Sequence, residues 1–513
     1  MMSHRKSSLW LDTAPPPVHF PPIRGDLAVD VLVLGGGITG VTTAYLLKAA
    51  GLKVVLVEQG RIAGGETGHT TAHVTFVTDT RLSELASRHG KSRACAFWEA
   101  ARTGLNEIVA NVETENIDCA LREVPGHLIA GFGKDPEKES QSLRDEAALA
   151  DELGFDAHFL PADPVFGRPA VRFPNQRKFH PVRYLEALVE RIPGAGCRVF
   201  DQTSGNSVDE DEHALVTDSG KITYDQIVIA THAPARGERS HLSAAVLQTK
   251  LALYSTYAIE ALVPPTPESL FWDTNEPYFY YRFDDTPDGC SVILGGEDHK
   301  TGQVRETQAP FAKLEQLLHQ HFPGAAVRRH WSGQVVETPD GLPYIGRIND
   351  RTLVGTGYSG TGMTLGTFAG CLLADLVMAR SNPLAKTFDP HRKALVGATE
   401  YISENIDFPV HFIKDRLTPT ATPEEIAPGS GAIVRVDGHR CAMSRDPAGH
   451  LSAVTAICPH MGCIVNWNQA EQTWDCPCHG SRFASDGRLI AGPAETGLEP
   501  VEIRVSPQAR QGG

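Results

Sequence analysis

Apolar and polar positions near the start of the chain predict a strand, a helix and a second strand. Residues 31–34 read Val-Leu-Val-Leu, a short buried-strand pattern, and the glycines that follow give way to Ile38, Val41 and Ala44 at helical spacing. A second apolar run covers residues 53–57. A unit of about 30 residues with this order is typical of a crossover that supports a parallel sheet.

The same patterns predict further elements along the chain. Residues 78–115 and 135–153 carry apolar side chains about one turn apart, which favours helices. Residues 251–296 alternate in part between apolar and polar positions, which is typical of an antiparallel sheet with one covered face. The apolar runs at 224–230 and 353–355 predict two more buried strands, so we expect the parallel-sheet domain to be assembled from discontinuous segments.

Composition marks the boundaries between these regions. Residues 1–25 are rich in proline and lack an apolar period, which predicts an extended surface arm, and residues 381–424 have the composition of a linker. After this linker, short strands separated by Asp-Gly and Asp-Pro turns predict a small all-β module over residues 425–508. The remaining residues, 26–380, are expected to form one large domain with a sheet-rich layer at about 240–330.

Net charge and composition disfavour some classes of protein. The 513 residues carry 47 basic and 62 acidic side chains, a formal net charge of -15, which disfavours a nonspecific phosphate-backbone binder, so nucleic acid is not an expected partner. With 41% hydrophobic and 21% charged residues, the chain is expected to fold. Glycines interrupt its most apolar early stretch, and no signal-peptide pattern precedes it, so we expect a cytoplasmic protein without a membrane span.

A Gly-x-Gly-x-x-Gly motif occupies the turn between the first predicted strand and helix. Its glycines let the backbone approach a pyrophosphate, and the helix N-terminus adds unpaired N–H groups and a positive dipole. Glu58 ends the next strand 18 residues after the last glycine, where a carboxylate accepts hydrogen bonds from ribose hydroxyls. A turn used only for tight packing is the alternative. The residues expected to bind a dinucleotide are Gly35, Gly36, Gly37, Ile38, Thr39, Gly40 and Glu58.

Four of the ten cysteines crowd into one short segment together with two histidines. Cys458 and His460 form a Cys-x-His pair, and Cys476 and His479 form a Cys-x-x-His pair after a spacer of fifteen residues. Thiolates and imidazoles bind zinc as well as iron–sulfur clusters, so the residue types alone leave a structural zinc site as an alternative.

This segment resembles the Rieske family, in which two thiolates hold one iron of a [2Fe-2S] cluster and two imidazoles hold the other. The resemblance spans residues 425–508 and includes the proline loop at 492–494. It implies the ligands Cys458, His460, Cys476 and His479 and, as in the disulfide-bearing branch of the family, a bridge between Cys463 and Cys478. Ser481 keeps a hydroxyl that can donate to a cluster sulfur, whereas Phe483 stands where high-potential members carry a tyrosine, which implies an intermediate or lowered potential.

Residues 30–380 resemble the D-amino-acid oxidase family of flavoproteins. The resemblance rests on the glycine motif, on AGGETGHTTAHVT at 63–75, on the strand ending Ala230-Thr231, and on TPDGLPYIG followed by LVGTGYSGTGMTLG. It implies FAD as the cofactor and a late helix N-terminus at the pyrimidine end of the flavin, where it stabilises the reduced anionic form. The further FAD-binding residues that it implies are His69, Thr70, Thr71, Gly360, Thr361, Gly362 and Met363. For His69, a covalent link to FAD and a noncovalent contact both stay open.

The two resemblances together imply a fold and an activity. The fold is an α/β FAD-binding Rossmann-like domain with an antiparallel-sheet substrate domain, plus a C-terminal all-β Rieske domain. The activity is oxidation of a C–N bond in a small-molecule amine or amino acid, with electrons passed through the cluster to an external acceptor. Two alternatives are an electron-transfer or redox-sensing module, in which flavin and cluster exchange electrons with a carrier or partner protein, and an oxidase that forms hydrogen peroxide.

The substrate-binding residues carry the weakest signal in the sequence. The candidates are Arg282, Tyr280 and Tyr281, which lie in the sheet-rich layer expected to face the flavin. An arginine at this place could hold a carboxylate through a two-pronged contact. A structural arginine among packed aromatic residues is the alternative.

Overall fold

The computed structural model describes residues 7–205, 207–209, 211–233, 250–392 and 420–502. The chain divides into two compact units. The first unit comprises Met1–His299 and Ala309–Ile402, and the second comprises Lys300–Gln308 and Ser403–Gly513. Most of the predicted linker lies outside the described residues.

The strands of the first unit are, in chain order, β1 (Leu27–Leu34), β2 (Val54–Val57), β3 (His73–Val74), β4 (Arg122–Ile129), β5 (His158–Leu160), β6 (Ala170–Lys178), β7 (Arg198–Phe200), β8 (Ser207–Asp209), β9 (Ala214–Thr217), β10 (Gly220–Ile229), β11 (Ala252–Val263), β12 (Ser269–Asp273), β13 (Tyr280–Thr286), β14 (Gly289–Lys300), β15 (Ala326–Glu337), β16 (Tyr344–Arg347) and β17 (Thr352–Thr356). Its helices are α1 (Leu9–Thr13), α2 (Ile38–Ala49), α3 (Leu82–His89), α4 (Lys91–Glu115), α5 (Pro136–Glu152), α6 (Pro181–Val189), α7 (Ala309–His321), α8 (Gly362–Val377) and α9 (Ala385–Phe388). The two predicted helical regions correspond to α3 with α4 and to α5.

The first sheet is the parallel sheet that the apolar runs predict. Its strand order is β16–β17–β10–β1–β2–β7, with β9 added to β10 and β8 to β9. The strands from β17 to β7 pair in parallel, whereas β16 and β9 pair antiparallel to their neighbours. Val31 and Val33 belong to one apolar cluster and Leu32 belongs to another, so both faces of β1 are covered.

The second sheet extends the sheet-rich layer with strands from earlier in the chain. Its order is β15–β11–β14–β13–β12–β4–β6–β3, with β5 paired to β6. β11 with β15, β12 with β13 and β13 with β14 are antiparallel, but β12 pairs with β4 in parallel, so the sheet is mixed. Pro125 and Pro174 interrupt β4 and β6. These prolines weaken the local strand pattern and explain why the earlier strands are hard to detect in the sequence.

The proline-rich N-terminal segment differs from the extended surface arm that its composition predicts. It contains α1, and Trp10 in this helix is only 3% exposed. The indole Nε1 of Trp10 donates to the carbonyl oxygen of Thr70, and the guanidinium of Arg282 lies 4.6 Å from the centre of the indole ring. Buried contacts, which include a hydrogen bond from the Ser8 hydroxyl to the carbonyl oxygen of Gly68, therefore hold this segment, and they leave no periodic signal in the sequence.

The second unit is built from two small antiparallel sheets, in agreement with the predicted all-β module. One sheet contains β18 (Ser430–Val436), β19 (His439–Arg445) and β20 (Leu451–Thr455), and the other contains β21 (Asn466–Asn468), β22 (Thr473–Asp475), β23 (Arg482–Ala484) and β24 (Leu489–Ala491). Val465, Trp474 and Phe483 are fully buried in its core.

A segment that follows β14 also belongs to the second unit. The side-chain amide of Asn466 donates to the carbonyl oxygen of Gly302 at 3.0 Å, and the side-chain amide of Gln303 donates to that of Pro477 at 3.2 Å. The hydroxyl of Thr307 accepts the N–H of Ala470 at 3.1 Å. Three hydrogen bonds therefore join this segment to the start of β21, to the turn between β21 and β22, and to the loop that follows β22.

Candidate functional site

The glycine motif forms a tight turn at the carboxyl end of β1. Gly35 has a φ of 108°, and a Cβ added there would lie 2.4 Å from the carbonyl oxygen of Ala230. A Cβ on Gly40 would lie 1.9 Å from the carbonyl oxygen of Gly35. At Gly37, the N-cap of α2, a Cβ would meet only the hydroxyl of Thr67 at 3.4 Å. The turn is closed where it packs on the protein and open in front of the helix N-terminus, where a pyrophosphate would bind.

Glu58 follows β2 and turns its carboxylate toward the glycine turn. The two carboxylate oxygens accept the N–H groups of Gly36 and Gly60, each at 2.7 Å. Burial raises the pKa of Glu58, and the two N–H donors oppose this rise. Each carboxylate oxygen has a second lone pair, so Glu58 can also accept a hydrogen bond from a ribose hydroxyl.

The loop that carries His69, Thr70 and Thr71 is fixed from two sides. Trp331 of β15 donates through its indole Nε1 to the carbonyl oxygen of His69 at 2.9 Å, and Trp10 binds the carbonyl oxygen of Thr70. The imidazole Nδ1 of His69 lies 2.9 Å from the carbonyl oxygen of Gly65. The loop is thus held in one conformation beside the parallel sheet.

The late glycine-rich segment places the N-terminus of α8 beside the glycine motif. A Cβ on Gly366 would lie 2.9 Å from the side chain of Ile38, and one on Gly370 would lie 2.7 Å from that of Thr42, so α2 and α8 approach closely. A Cβ on Gly362 at the start of α8 would contact nothing within 4 Å. Gly37 before α2 and Gly362 at the start of α8 therefore both leave space for a bound cofactor.

His232 was not predicted from the sequence, but it bears on the same site. It follows β10, the strand whose end contacts Gly35, and its backbone has a φ of 63°. Its Nε2 is buried and has no hydrogen-bond partner among the described residues. Burial lowers the pKa of this imidazole, which keeps it neutral. A buried ring nitrogen of this kind fits a polar atom of a bound cofactor.

The three candidate substrate residues are divided between the two faces of the second sheet. The Tyr280 hydroxyl lies 2.7 Å from that of Thr256. Tyr281 points to the opposite face, where its hydroxyl meets Nδ1 of His321 at 3.2 Å. Arg282 is 4% exposed and donates to the Asp284 carboxylate and to the carbonyl oxygens of Thr71, Ala72 and Phe179. The Arg282 guanidinium is thus engaged inside the fold.

Two aspartates on the Tyr280 side of this sheet were not predicted from the sequence. Asp79 accepts the hydroxyl of Tyr278 at 2.8 Å and the N–H of Gly360 at 2.5 Å, so it stands beside the N-terminus of α8. Asp298 lies near the end of β14. Neither aspartate belongs to a linear motif, so no local pattern in the sequence marks either one as a site residue.

The four predicted metal ligands lie on two loops of the second unit with the same hydrogen-bond pattern. The N–H of Cys458 donates to the carbonyl oxygen of Cys463, and the N–H of Cys476 donates to that of Ser481, both at 2.8 Å. In each loop, a glycine with positive φ, Gly462 or Gly480, donates back to the carbonyl oxygen of the first cysteine at 2.9 Å. Two equivalent loops therefore present one cysteine and one histidine each.

The side chains of these loops converge. The rings of His460 and His479 lie 4.8 Å apart at 86°, and the Nδ1 atoms of both are sealed from solvent. Cys458 and Cys476 are each 1% exposed, are not disulfide-bonded, and hydrogen-bond to each other. Burial lowers the pKa of His479 to about 4, which keeps the ring in the neutral form that ligates a metal.

Cys463 and Cys478 form the predicted disulfide between the two loops. Both of its sulfur atoms lie within 4.8 Å of the Cys476 sulfur. A bridged sulfur has no thiolate to offer, so these loops retain two thiols and two imidazoles as donors, the set that a Rieske cluster takes.

A third loop covers the same place. The hydroxyl of Ser481 is fully buried and accepts the N–H of Ala494 at 3.1 Å. It also hydrogen-bonds to the Cys458 thiol. Phe483 is fully buried in the apolar core.

Residues 30–376 match the model of the DAO family, FAD dependent oxidoreductase. The chain belongs to this family. Residues 417–502 match the Rieske [2Fe-2S] domain. This DAO-family protein is therefore an FAD-dependent oxidoreductase with a C-terminal Rieske domain, and it binds FAD and a [2Fe-2S] cluster.

Relatives of this DAO-family protein differ in how much of the chain they match. It is 33% identical to the Rieske 2Fe-2S iron-sulfur protein YhfW of Bacillus subtilis over 94% of this chain and 95% of that protein. It is 24% identical to gamma-glutamylputrescine oxidoreductase of Escherichia coli over 73% of this chain and 90% of that protein. Glycine oxidase from Geobacillus kaustophilus has the same fold, with a TM-score of 0.60 and 19% identity over 72% of this chain and 99% of that structure.

Among the helices that the structure describes, none has the length and apolar character needed to span a bilayer.

Proposed function

We propose that this protein oxidises a C–N bond of an amine or amino acid and transfers the electrons through its cluster to an external acceptor. The observation that carries the proposal is the union, in one chain, of a DAO-family region and a Rieske region that contains the four predicted cluster ligands. FAD accepts two electrons from an organic substrate and releases them singly, whereas a [2Fe-2S] cluster carries one electron at a time. The names of the relatives, which include an amino acid oxidase and an amine oxidoreductase, support a C–N substrate.

The chain's own residues would position FAD at its two ends. The glycine turn and the N-terminus of α2 would receive the pyrophosphate, and Glu58 would accept a hydrogen bond from the ribose. The N-terminus of α8 would direct N–H groups and a positive dipole at the pyrimidine end, which stabilises negative charge there.

The substrate would lie against the face of the second sheet that carries Tyr280. A Cβ on Gly295 would lie 2.2 Å from the Tyr280 ring, so the ring lies directly over the glycine backbone. Its hydroxyl is held by Thr256, and that of Tyr278 is held by Asp79. Two fixed aromatic rings with polar ends can orient a small amine.

Transfer to an external acceptor is supported by the surface of the cluster loop. Ile457 and Met461 are 49% and 44% exposed, and they directly precede Cys458 and directly follow His460. Large apolar side chains in solvent mark surfaces that contact other proteins. This surface also favours the second candidate function, exchange of electrons with a carrier protein.

The proposal is tested by anaerobic incubation of the holoprotein with a panel of amines and amino acids. One compound should bleach the flavin and yield the carbonyl product of imine hydrolysis. A Cys476→Ser protein should still bleach with that compound but fail to reduce an added one-electron acceptor protein. If no compound on the panel bleaches the flavin while a reduced carrier protein does, the carrier function replaces the amine oxidoreductase.

A further inference from the structure

Acidic and aromatic side chains gather where the second sheet meets the N-terminus of α8. Asp79 links this helix, through the N–H of Gly360, to the hydroxyl of Tyr278. The rings of Tyr278 and Tyr280 lie 5.5 Å apart. With Asp298, these residues form what we call the acidic cluster: Asp79, Thr256, Tyr278, Tyr280 and Asp298.

A break in the strand alternation of β14 directs Asp298 into this cluster. Gly296 and Glu297 have φ values of 147° and 61°, and the second is rare for a residue other than glycine. The side chain of Asp298 consequently faces the same way as Thr256, to which it hydrogen-bonds. Its other oxygen, Oδ1, is buried and has no hydrogen-bond partner among the described residues.

An unpaired carboxylate oxygen at this position is costly unless a ligand supplies a donor. Burial, together with the charges of the Asp79, Glu276 and Glu297 carboxylates, raises the pKa of Asp298 to about 7. A positively charged group would supply the missing hydrogen-bond donor and would offset the repulsion among these carboxylates.

Arg282, which the sequence suggests as a partner for a substrate carboxylate, is not available for that contact. Its guanidinium donates hydrogen bonds to the Asp284 carboxylate and to backbone carbonyl oxygens. A carboxylate that entered beside Tyr280 would face Asp79 and Asp298 instead of an available arginine, and like charges repel in a site of low dielectric.

We propose that the acidic cluster binds a cationic group of the substrate, so that the substrate is an amine with a second positive charge, a diamine or polyamine, rather than an amino acid. This inference rests on the proposed function, because it names the substrate class of the same site. Asp298 accepts the hydrogen bond of the ammonium through Oδ1, and the tyrosine rings flank its carbon chain.

The test compares three probes of the same chain length on the holoprotein: diaminobutane, n-butylamine and γ-aminobutyrate. Binding is measured anaerobically by calorimetry and by perturbation of the flavin absorbance, and flavin reduction is recorded separately. Diaminobutane should bind at least roughly tenfold more tightly than γ-aminobutyrate, as opposite charge effects in a shielded site require. Equal affinities, or tighter binding of γ-aminobutyrate, would overturn the inference.

The Asp298→Asn variant assigns the effect to one residue. It should weaken diaminobutane binding by roughly tenfold or more. Asp288→Asn is the matched control, because it makes the same substitution in the turn before β14, where the Asp288 carboxylate pairs with Arg328 at 3.0 Å outside the acidic cluster. The control should bind diaminobutane like the wild type, and an equal loss in both variants would contradict a role for Asp298. If the Asp298→Asn protein does not fold with FAD, the wild-type ranking of the probes decides alone.

A missing cation site and a missing amine oxidation would give different results. Binding of diaminobutane that depends on Asp298 without reduction of the flavin by any amine would retain the cation site and refute the oxidation. Reduction of the flavin by an amino acid with no preference for diaminobutane would retain the oxidation and refute the cation site.

Discussion

Removal of the Ser481 hydroxyl perturbs the cluster site by a single hydrogen bond. This hydroxyl accepts the N–H of Ala494 at 3.1 Å, which leaves its own proton free to be donated to the sulfur of Cys458. The side chain is fully buried, so no solvent molecule replaces it in a Ser481→Ala protein without rearrangement. With the cluster bound, the sulfur becomes more negative on reduction, and the lost donor therefore destabilises the reduced form more than the oxidised form.

The size of the effect follows from the strength of this hydrogen bond. A hydrogen bond to a charged group contributes about 1.5–3 kcal/mol, of which we take about 1–2 kcal/mol to arise on reduction. Since about 1.4 kcal/mol corresponds to about 59 mV for one electron, the midpoint potential should fall by roughly 40–90 mV.

The assay is a redox titration of the holoprotein followed by the electron paramagnetic resonance signal of the reduced cluster. Ser444→Ala is the matched control, because Ser444 is also buried in the second unit but donates to the carbonyl oxygen of Ser485. Its potential should equal that of the wild type. An unchanged or raised potential in Ser481→Ala, with the cluster fully loaded, would refute the assigned hydrogen bond.

Three further variants test other parts of the structure. Glu58→Ala removes the acceptor of two backbone N–H groups at the glycine turn. The variant should be purified with less FAD and show a higher Kd for FAD, and an unchanged Kd would contradict a role of Glu58 in FAD binding. Lys178→Met removes a buried ammonium that pairs with Glu268 and Asp284, which keep Arg122 and Arg282 as partners, and it should lower the free energy of unfolding by about 1–3 kcal/mol in denaturant titrations; an unchanged free energy of unfolding would show that the Lys178 pairs contribute nothing. The pKa of Asp298 is raised to about 7, so the folded protein loses stability as the pH rises from about 4 through 7 and this carboxyl group ionises. The Asp298→Asn protein should therefore lose less free energy of unfolding than the wild type over this pH range. Parallel pH profiles of the two proteins would argue against the raised pKa.

The two cofactor motifs could be predicted because each is local in the sequence. The glycines that shape the turn are two to five positions apart, and each cluster loop brings its cysteine and histidine together within four residues. Such short segments keep their geometry wherever the rest of the chain lies. The resemblance to known families then supplied the pairing of Cys463 with Cys478, which spacing alone leaves open.

The substrate side could not be predicted because it depends on contacts between distant segments. Asp79 meets Gly360 from nearly three hundred residues away, and Asp298 reaches the same face only because Glu297 adopts a positive φ. The engagement of Arg282 with carbonyl oxygens of residues near 72 and 179 is equally invisible in its own strand pattern. A sequence shows that an arginine is present but does not show which partners occupy it.

Passage of electrons from an organic amine through FAD to the cluster can be followed in one rapid-mixing measurement. The holoprotein is mixed anaerobically with the best amine of the panel, and flavin absorbance and the electron paramagnetic resonance signal of the reduced cluster are followed together. We expect the flavin to bleach first and the cluster signal to grow afterwards within a single turnover. A bleached flavin beside a cluster that stays oxidised would contradict this path of electron transfer.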